Sequence, residues 1–292
     1  MAEIFLRRVM GQQIHWFPGH MNKALNEVEN KVKLVDVIIE LFDARAPLSS
    51  INENLEKLTA NKKKLIVLTK IDLADPEQNK NWLNYLKEKY DAVISLDLKK
   101  SNAEAILSKA VVELGKEKHA KEIAKGMKPQ PIRAMIIGIP NVGKSSLINR
   151  LAKRKAAGVQ NKPGYTRGEQ WISVNKDFLL LDTPGILPMS YENQKKAANL
   201  ALIGAIREDI LPNEVLGEYL LKFLRERYPE SLLQRFDIKE IGERISVLNQ
   251  IAERRKIVNS VGENDLLRAE SLLLKEFKDG LLGNITLEWY ES

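Results

Sequence analysis

The sequence predicts an α/β fold with a doubly wound, mostly parallel sheet, followed by a smaller all-helical C-terminal domain. Short apolar runs such as residues 35–42 alternate with stretches of helical periodicity such as residues 79–89, up to about Leu187. Beyond that point the pattern is almost entirely helical. Alternation of strands and helices is typical of parallel sheets, because parallel strands need a crossover connection. We therefore place the first domain at residues 1–190 and the helical domain at residues 191–292.

Each further element follows from its local pattern. Ser101 is a candidate N-cap for a helix that runs to about Lys118, with Glu104 completing a capping box. The Pro-containing segment 128–131 indicates a linker. Strands are expected at 65–68, 92–94 and 132–138, with a hairpin formed by 170–174 and 178–181. The C-terminal helices are expected at 194–208, 215–225, 238–255 and 265–277, closed by a short strand at 285–289. The third of these helices has one apolar stripe, formed by Ile238, Ile241, Ile245, Leu248 and Ile251.

Composition excludes several classes of protein. Hydrophobic residues make up 44% of the chain and charged residues 29%, which is ordinary for a globular protein and excludes a disordered or fibrous chain. The absence of cysteine excludes disulfides and cysteine-based metal sites. No apolar run approaches the roughly 20 residues that a membrane span needs, and residues 1–11 lack a signal-peptide core. We expect a cytoplasmic protein without a membrane partner.

The basic charge is unevenly distributed. The net charge is +7, yet residues 201–292 contain 13 basic and 17 acidic residues. The basic excess therefore lies wholly in the first two thirds of the chain. It indicates a polyanionic partner, most simply RNA, although a solvated lysine-rich surface explains it equally well.

Residues 138–145 (GIPNVGKS) match the phosphate-loop pattern G-x-x-x-x-G-K-[ST], and a predicted strand precedes them while a helix follows. Glycines allow backbone N–H groups to approach phosphate oxygens, and the helix N-terminus adds a positive dipole end. We expect Lys144 to reach the β- and γ-phosphates and Ser145 to ligate Mg²⁺. The predicted phosphate-binding residues are Asn141, Val142, Gly143, Lys144, Ser145 and Ser146.

A second motif, residues 182–185 (DTPG), follows the apolar run at 178–181. We expect Asp182 to hold Mg²⁺, through water, and the Gly185 N–H to sense the γ-phosphate. In isolation this pattern could be a strand-ending turn, but its distance after the phosphate loop favours a switch. Thr166 lies between the two motifs and is the predicted switch threonine, both a Mg²⁺ ligand and a catalytic residue. Ser173 and Thr183 are poorer candidates.

The base-reading candidates are Thr69, Lys70 and Asp72, directly after the run 65–68. A carboxylate at Asp72 can accept from both N1–H and the exocyclic N2 of guanine, whereas adenine lacks this donor pair. The commoner form of the motif begins with Asn, so Thr69 is expected to weaken contacts around the base without loss of specificity. Ser95, after the next predicted strand, is a candidate backbone contact to guanine O6. A surface turn is the alternative explanation of the pattern.

The order of these motifs is informative. The base-reading elements precede the phosphate loop, whereas in ordinary GTPases they follow it. The same sheet can be cut and rejoined without changing the site, because domain termini usually lie close together. The sequence therefore predicts a circularly permuted P-loop GTPase that binds GTP or GDP with Mg²⁺. Since the chain leaves this fold just after Gly185, we hypothesise that nucleotide state changes the docking of the helical domain.

The chain resembles the ribosome biogenesis GTPase A family over essentially its whole length. The resemblance is carried by the permuted order, residues 43–47 (DARAP), residues 16–21 (WFPGHM) and the phosphate loop. It implies a late assembly factor for the bacterial large ribosomal subunit, which binds the precursor particle in the GTP state and leaves after hydrolysis. The resemblance also implies rRNA contact by the helical domain, and no DNA partner is expected.

Hydrolysis needs a polar group that the usual position does not provide. Many GTPases have Gln directly after the switch glycine to orient water, but here Ile186 and Leu187 follow it. His20 is the catalytic candidate, because the resembling family has a His at this place and imidazole can orient water. Alternatively, His20 only anchors its loop. By similarity, Asn141 is a candidate K⁺ ligand, or else a plain polar loop residue.

Asp43 and Arg45 either position a switch, contact rRNA or form an internal ion pair. Lysine and arginine clusters are candidate RNA contacts, although each could be a solvated face. These clusters are 62–64, 153–155, Lys162 with Arg167, the lysines between 116 and 128, and 254–256. Three readings remain open: a GTPase switch acting on a ribosomal precursor, a GTP-dependent RNA or protein scaffold with incidental hydrolysis, and a P-loop ATPase or kinase, against which Asp72 argues.

Overall fold

The computed structural model describes residues 19–100, 102–153, 171–181, 183, 185–187, 194–206 and 211–290, with backbone alone at 19–22, 152 and 153. Within these residues, six strands form one sheet in the order β3-β2-β1-β4-β6-β5. The strands are β1 Val37–Asp43, β2 Lys63–Thr69, β3 Ala92–Ser95, β4 Ile132–Gly138, β5 Trp171–Ser173 and β6 Phe178–Leu181.

The sheet is mostly parallel, as the sequence predicts. β1 lies between β2 and β4 and pairs with both in parallel, and the pairs β2–β3 and β4–β6 are also parallel. β5 and β6 form the expected antiparallel hairpin. All of β1 is buried, because its residues pack alternately on the two faces. Ile39 belongs to one apolar cluster, while Ile38 and Phe42 belong to two others.

The C-terminal ends of the parallel strands lie at one edge of the sheet, called here the carboxyl edge. The register pairs Asp43 at the end of β1 with Thr69 at the end of β2. Ser95 at the end of β3 pairs with Leu68, and Gly138 at the end of β4 pairs with Leu41. The motifs after these strands, which are far apart in the sequence, are therefore brought together at an edge where such folds bind ligands.

The helices of the first part of the chain differ from prediction mainly at residue 115. The single helix expected from Ser101 to Lys118 is two helices separated at Gly115, where a Cβ atom would lie 2.2 Å from Ile132 Cδ1. The missing side chain lets this turn pack directly on β4. Ser101 itself lies outside the described residues. These helices are α1 Gly19–Val32, α2 Pro47–Ser50, α3 Glu53–Leu58, α4 Pro76–Lys89, α5 Ala103–Leu114, α6 Lys116–Ala124 and α7 Lys144–Lys153.

The C-terminal part is helical, but the helix expected at 238–255 begins only at Arg244. Asp237 adopts a left-handed conformation with φ 52° that ends the preceding helix, which was not predicted. Ile238 reaches the core from the loop, and Ile245 is 58% exposed, so the predicted stripe is wrong at that residue. The helices are α8 Gln194–Leu202, α9 Asn213–Arg227, α10 Pro229–Phe236, α11 Arg244–Arg255 and α12 Leu266–Lys278. None of the described helices is long and apolar enough to cross a membrane.

The strand expected at 285–289 is wrong. The Ile285 N–H donates to the Leu73 carbonyl at 3.0 Å, and the Leu287 N–H donates to the Arg45 carbonyl at 2.7 Å. Two different loops accept these bonds, so no strand ladder forms. We call residues 284–288 the C-terminal strap, because they run from the helices back across the first part of the chain. The strap and the C-terminal helices share one apolar core with a face of the sheet.

Candidate nucleotide-binding site

The loop from β4 to α7 has the backbone conformation that an anion-binding loop requires. Gly138, Asn141 and Gly143 have φ of 149°, 57° and 109°. A Cβ atom on Gly138 would lie 2.9 Å from the Leu41 carbonyl oxygen, so both conformation and space favour glycine there. α7 begins at Lys144, and the N-terminal end of a helix favours a bound anion through its backbone N–H groups and its dipole. Phosphate binding by residues 141–146 stays a prediction with which this geometry agrees.

The switch glycine lies against this phosphate loop. A Cβ atom on Gly185 would lie 3.0 Å from Lys144 Nζ and 3.0 Å from Pro140 Cα. The Ile186 N–H donates to the Gly138 carbonyl at 3.2 Å. Gly185 therefore lies beside the side chain of Lys144, the predicted phosphate ligand.

Thr69 joins the base-reading motif to the phosphate loop. Its hydroxyl donates to the Val142 carbonyl at 2.6 Å and also lies 3.1 Å from the Phe42 carbonyl oxygen. The side chain is fully buried. Thr69, which stands where the commoner base-reading motif has Asn, therefore links two loops of the carboxyl edge.

The two charged residues of the base-reading motif are both paired. Lys70 has a left-handed φ of 53°, and its Nζ lies 3.4 Å from Asp43 Oδ2. Burial lowers the pKa of Lys70, while the Asp43 charge opposes this shift. Asp72 is partly exposed, and its Oδ2 lies 2.5 Å from Lys99 Nζ. A guanine base that used both carboxylate oxygens of Asp72 would compete with the exposed Lys99 side chain.

The loop after β3, which follows the predicted Ser95 contact at the end of that strand, is held by α7. Arg150 donates from its two terminal nitrogens to the Leu98 and Lys100 carbonyls. A Cβ atom on Gly143 would lie 3.2 Å from Leu98 Cδ1. The phosphate loop therefore touches the loops after β2 and β3, and the predicted base and phosphate contacts form one continuous site.

Asp43 and Arg45 form the internal ion pair that was one of the three alternatives. Arg45 Nη2 lies 2.8 Å from Asp43 Oδ2, and both side chains are almost fully buried. Burial alone would raise the pKa of Asp43, but the charge and hydrogen bonds of Arg45, together with Lys70, hold it below its ordinary value. Arg45 also donates to the Lys278 and Ile203 carbonyls. It is therefore a link between the sheet and the C-terminal helices, and rRNA contact by this buried side chain is excluded.

Three predicted site residues lie wholly or partly outside the described structure. Thr166 and Asp182 are not among the described residues, and His20 is described only as backbone in the first turn of α1. Their roles as Mg²⁺ ligands and in catalysis remain predictions. Ile186 is 1% exposed and packs in an apolar cluster with Ile137. Its burial agrees with the expectation that it does not orient water.

Asn141 contacts the C-terminal helices. Its amide nitrogen donates to the Gly204 carbonyl, just beyond α8, at 2.7 Å. This bond uses the donor of the amide, and the side-chain oxygen is the atom that a monovalent cation would take. Ser145 is exposed at the start of α7, where its hydroxyl could join phosphate oxygens around Mg²⁺.

Two of the lysine clusters, residues 62–64 and the lysines between 116 and 128, meet at the edge of the sheet opposite to the carboxyl edge. They line a groove of about 580 Å³. Two of the lysines that line it are already paired, since Lys118 lies 2.9 Å from Asp36 and Lys63 lies 3.2 Å from Asp91. Lys121 and Lys125 are exposed in the described part of the chain and have no ion-pair partner there. They are the cations of this groove that remain open to a polyanion.

The sequence did not show which residues hold the site loops. Lys99, Arg150 and the strap residue Asn284 lie outside every motif, and the only advance signal was the position of Arg150 in the helix that follows the phosphate loop.

Known proteins are similar to this chain over most of its length. A family described as "50S ribosome-binding GTPase" matches residues 133–235. Ribosome biogenesis GTPase A of Bacillus cereus is 44% identical over 280 residues, which covers 96% of this chain and 95% of that protein. The Thermotoga maritima protein of the same name is 29% identical, covering 94% of this chain and 93% of the other.

Solved structures are similar over the same length. The GDP-bound structure of Thermotoga maritima YlqF is 25% identical with a TM-score of 0.66, covering 91% of this chain and 100% of that one. The GNP-bound structure of the same protein has a TM-score of 0.64 and covers 91% and 98% of the two chains. The similarity includes both the sheet and the C-terminal helices.

Proposed function

The chain belongs to the ribosome biogenesis GTPase A family, and from this premise we propose that it is an assembly factor for the large ribosomal subunit. Membership makes the chain a GTPase, which uses guanine nucleotide and, typically for such proteins, Mg²⁺. In the proposal, the protein acts in the cytoplasm, binds the precursor particle in the GTP state and leaves after hydrolysis.

The observation that carries the switching part of this proposal is the contact of Gly185 with the phosphate loop. The backbone of Gly185 lies beside Lys144 Nζ. We therefore expect loss of the γ-phosphate to move this segment. Residues 185–187 lead toward α8, and Asn141 bonds to Gly204 at the end of that helix. Two connections therefore join the phosphate loop to the C-terminal helices.

Hydrogen exchange tests whether these connections carry a signal. We expect amides in residues 194–206 to exchange at different rates in the GDP complex and in the complex with a non-hydrolysable GTP analogue. Identical exchange in both states would remove the coupling from the proposal.

The direct test of the function is phosphate release from GTP in K⁺ buffer, with and without purified large ribosomal subunits. We expect clear stimulation by the subunit, and co-sedimentation with it in the presence of the GTP analogue but not of GDP. ATP serves as the matched nucleotide control. Absence of both binding and stimulation would contradict a ribosomal role and leave a GTPase with another partner.

The second candidate is a GTP-dependent scaffold in which hydrolysis is incidental. The buried Ile186 favours it, because this position cannot orient water and intrinsic turnover should be slow. Nucleotide-dependent binding to the subunit without stimulated turnover would support the scaffold.

The hydrolytic proposal assigns water orientation to His20 and K⁺ coordination to Asn141. We expect His20→Ala to lower stimulated turnover while GTP binding is retained, and replacement of K⁺ by Na⁺ to lower turnover of the wild type. Equal turnover in both salts would remove K⁺ from the mechanism.

We propose the lysine groove as one RNA-contacting surface. Lys121→Glu with Lys125→Glu should weaken binding to rRNA and flatten its salt dependence, because phosphate contacts release counterions. Lys109→Glu with Lys176→Glu, at two exposed lysines that do not line the groove, is the matched control with the same change in net charge. An equal effect of the control would indicate that net charge alone attracts RNA.

A further inference from the structure

The C-terminal strap bonds to four consecutive residues of the loop that carries Asp72. The Asn284 amide donates to the Asp72 carbonyl at 3.3 Å and to the Ala74 carbonyl at 3.0 Å. The Ile285 N–H donates to the Leu73 carbonyl at 3.0 Å. The Asp75 N–H donates to the Thr286 hydroxyl at 3.1 Å. Every residue from Asp72 to Asp75 is thus fixed through its backbone to the strap.

The strap is itself firmly anchored. The Glu288 carboxylate accepts from the Leu48 N–H at 2.6 Å, the Ser49 N–H at 3.1 Å and the Asn199 amide at 3.1 Å. The Trp82 indole donates to the Glu288 carbonyl at 2.7 Å. Thr286 and Leu287 are buried. A loop bonded to this strap is therefore bonded to a fixed part of the molecule.

The loop has few bonds of its own. Within it, the Leu73 N–H donates to the Lys70 carbonyl at 3.0 Å, and Lys70 has a left-handed backbone that is unfavourable for lysine. The Asn79 amide reaches the Ile71 carbonyl only at 3.4 Å. The backbone that carries Asp72 is therefore held by the strap as well as by β2, while the carboxylate itself contacts Lys99.

We propose that Asn284 is a positioning residue for guanine recognition, so that the docked C-terminal strap is part of the base-reading site. The proposal rests on Asp72 being the carboxylate that reads the base. Because coupling is reciprocal, a bound guanine base also stabilises the docked strap. A partner that displaces the strap then weakens the binding of GTP and of GDP equally. The Gly185 segment, in contrast, distinguishes the two nucleotides.

The test compares GDP with inosine diphosphate, which keeps N1–H but lacks the exocyclic N2. The ratio of their dissociation constants reports how well the Asp72 carboxylate is placed for N2. In Asn284→Ala we expect the dissociation constant for inosine diphosphate divided by that for GDP to fall by about threefold to tenfold, as expected when the single hydrogen bond from N2 to Asp72 is lost. The affinities for GTP and for GDP should fall by the same factor as each other. Asn264→Ala is the matched control, because it loses an amide bond to Asn249 of 3.1 Å, away from the loop.

The outcomes separate the possible failures. An unchanged ratio in Asn284→Ala, with or without a general loss of affinity, overturns the positioning role, as does an equal fall in Asn264→Ala. If Asn284→Ala does not fold, Thr286→Val repeats the test by removing a single hydroxyl. Asp72→Asn is measured in parallel, and if it leaves the GDP preference unchanged, the assignment of Asp72 has failed and not the strap contact.

Discussion

The phosphate loop and the base-reading loop lie side by side at the carboxyl edge, but different parts of the chain hold them. The backbone conformation of the phosphate loop is set within residues 138–147, by three residues with positive φ and by the Leu147 N–H donating to the Gly143 carbonyl, and the bonds to Thr69 and Gly204 add to this local framework. The base-reading loop is held by Asn284, which is 212 residues from Asp72. A motif therefore predicts its own conformation when that conformation is set locally, and predicts only its chemistry when distant residues set it.

The largest effect is expected from Asp72→Asn, which changes the base-reading loop alone. The amide replaces an acceptor by a donor facing the guanine N1–H and N2, so GTP affinity should fall on the order of 100-fold. Xanthosine triphosphate, which has a carbonyl at that position, should bind better than GTP. Titration with fluorescent analogues of both nucleotides measures the change. Unaltered GTP affinity would show that the two loops do not divide base and phosphate recognition.

The next effect is expected from Gly185→Ala on the phosphate side. The new Cβ atom would lie 3.0 Å from Lys144 Nζ and Pro140 Cα, so the Gly185 segment, Lys144 or Pro140 must shift by a few tenths of an ångström. The preference for a GTP analogue over GDP should fall about tenfold, the loss of roughly one charge-assisted hydrogen bond. The measurement is the ratio of the two dissociation constants. Equal weakening of both nucleotides would contradict a sensing role.

A smaller effect is expected from Thr69→Val, at the joint between the two loops. Valine keeps the shape but loses the bond to the Val142 carbonyl, worth about 1 kcal/mol, so GTP and GDP should both weaken by about fivefold. Thr69→Ser keeps the hydroxyl and should bind as the wild type does. If serine were as poor as valine in calorimetric titration, packing and not the hydrogen bond would join the loops.

The smallest effect on nucleotide binding is expected from Glu40→Gln, which tests stability away from both loops. Glu40 is fully buried in β1, and its oxygens accept no hydrogen bond from the described residues, while the neighbouring Glu56 carboxylate can accept one from protonated Glu40. Burial, and to a lesser degree the Glu56 charge, raises the pKa of Glu40 from 4.5 to about 8. Nucleotide affinity should be unchanged near neutral pH.

The sign of the pH effect follows from this shift. Between pH 4.5 and about 8 only the unfolded state loses the proton, so wild-type stability falls as pH rises, by at most about 1.4 kcal/mol per pH unit. Gln does not titrate, so the advantage of Glu40→Gln in melting temperature should grow from pH 5 to pH 8. A constant difference across that range would mean that Glu40 is ionised in the folded protein throughout.

The sequence contained enough to place the strands and the phosphate loop, because β-branched runs and glycine spacing act over a few residues. It did not reveal the contacts of Arg45, because residues 43–45 have the same sequence whether Arg45 forms an internal ion pair or lies at the surface. The strap was misread as a strand for a related reason. Its polar residues Thr286 and Glu288 are buried along with Ile285 and Leu287, and each polar group forms its hydrogen bonds with a different loop. The alternation of polar and apolar residues therefore did not indicate an exposed and a buried face of a strand.

The strap also fixes an order of events during translation. The base-reading loop is among the earlier parts of the chain to be made, and Asn284 follows its partner Asp72 by 212 residues. A nascent or truncated chain that stops before Asn284 carries every nucleotide motif without the bonds that hold Asp72 to Asp75. In the proposal, synthesis of residues 284–286 is therefore the step that supplies the bonds holding the predicted base-reading loop.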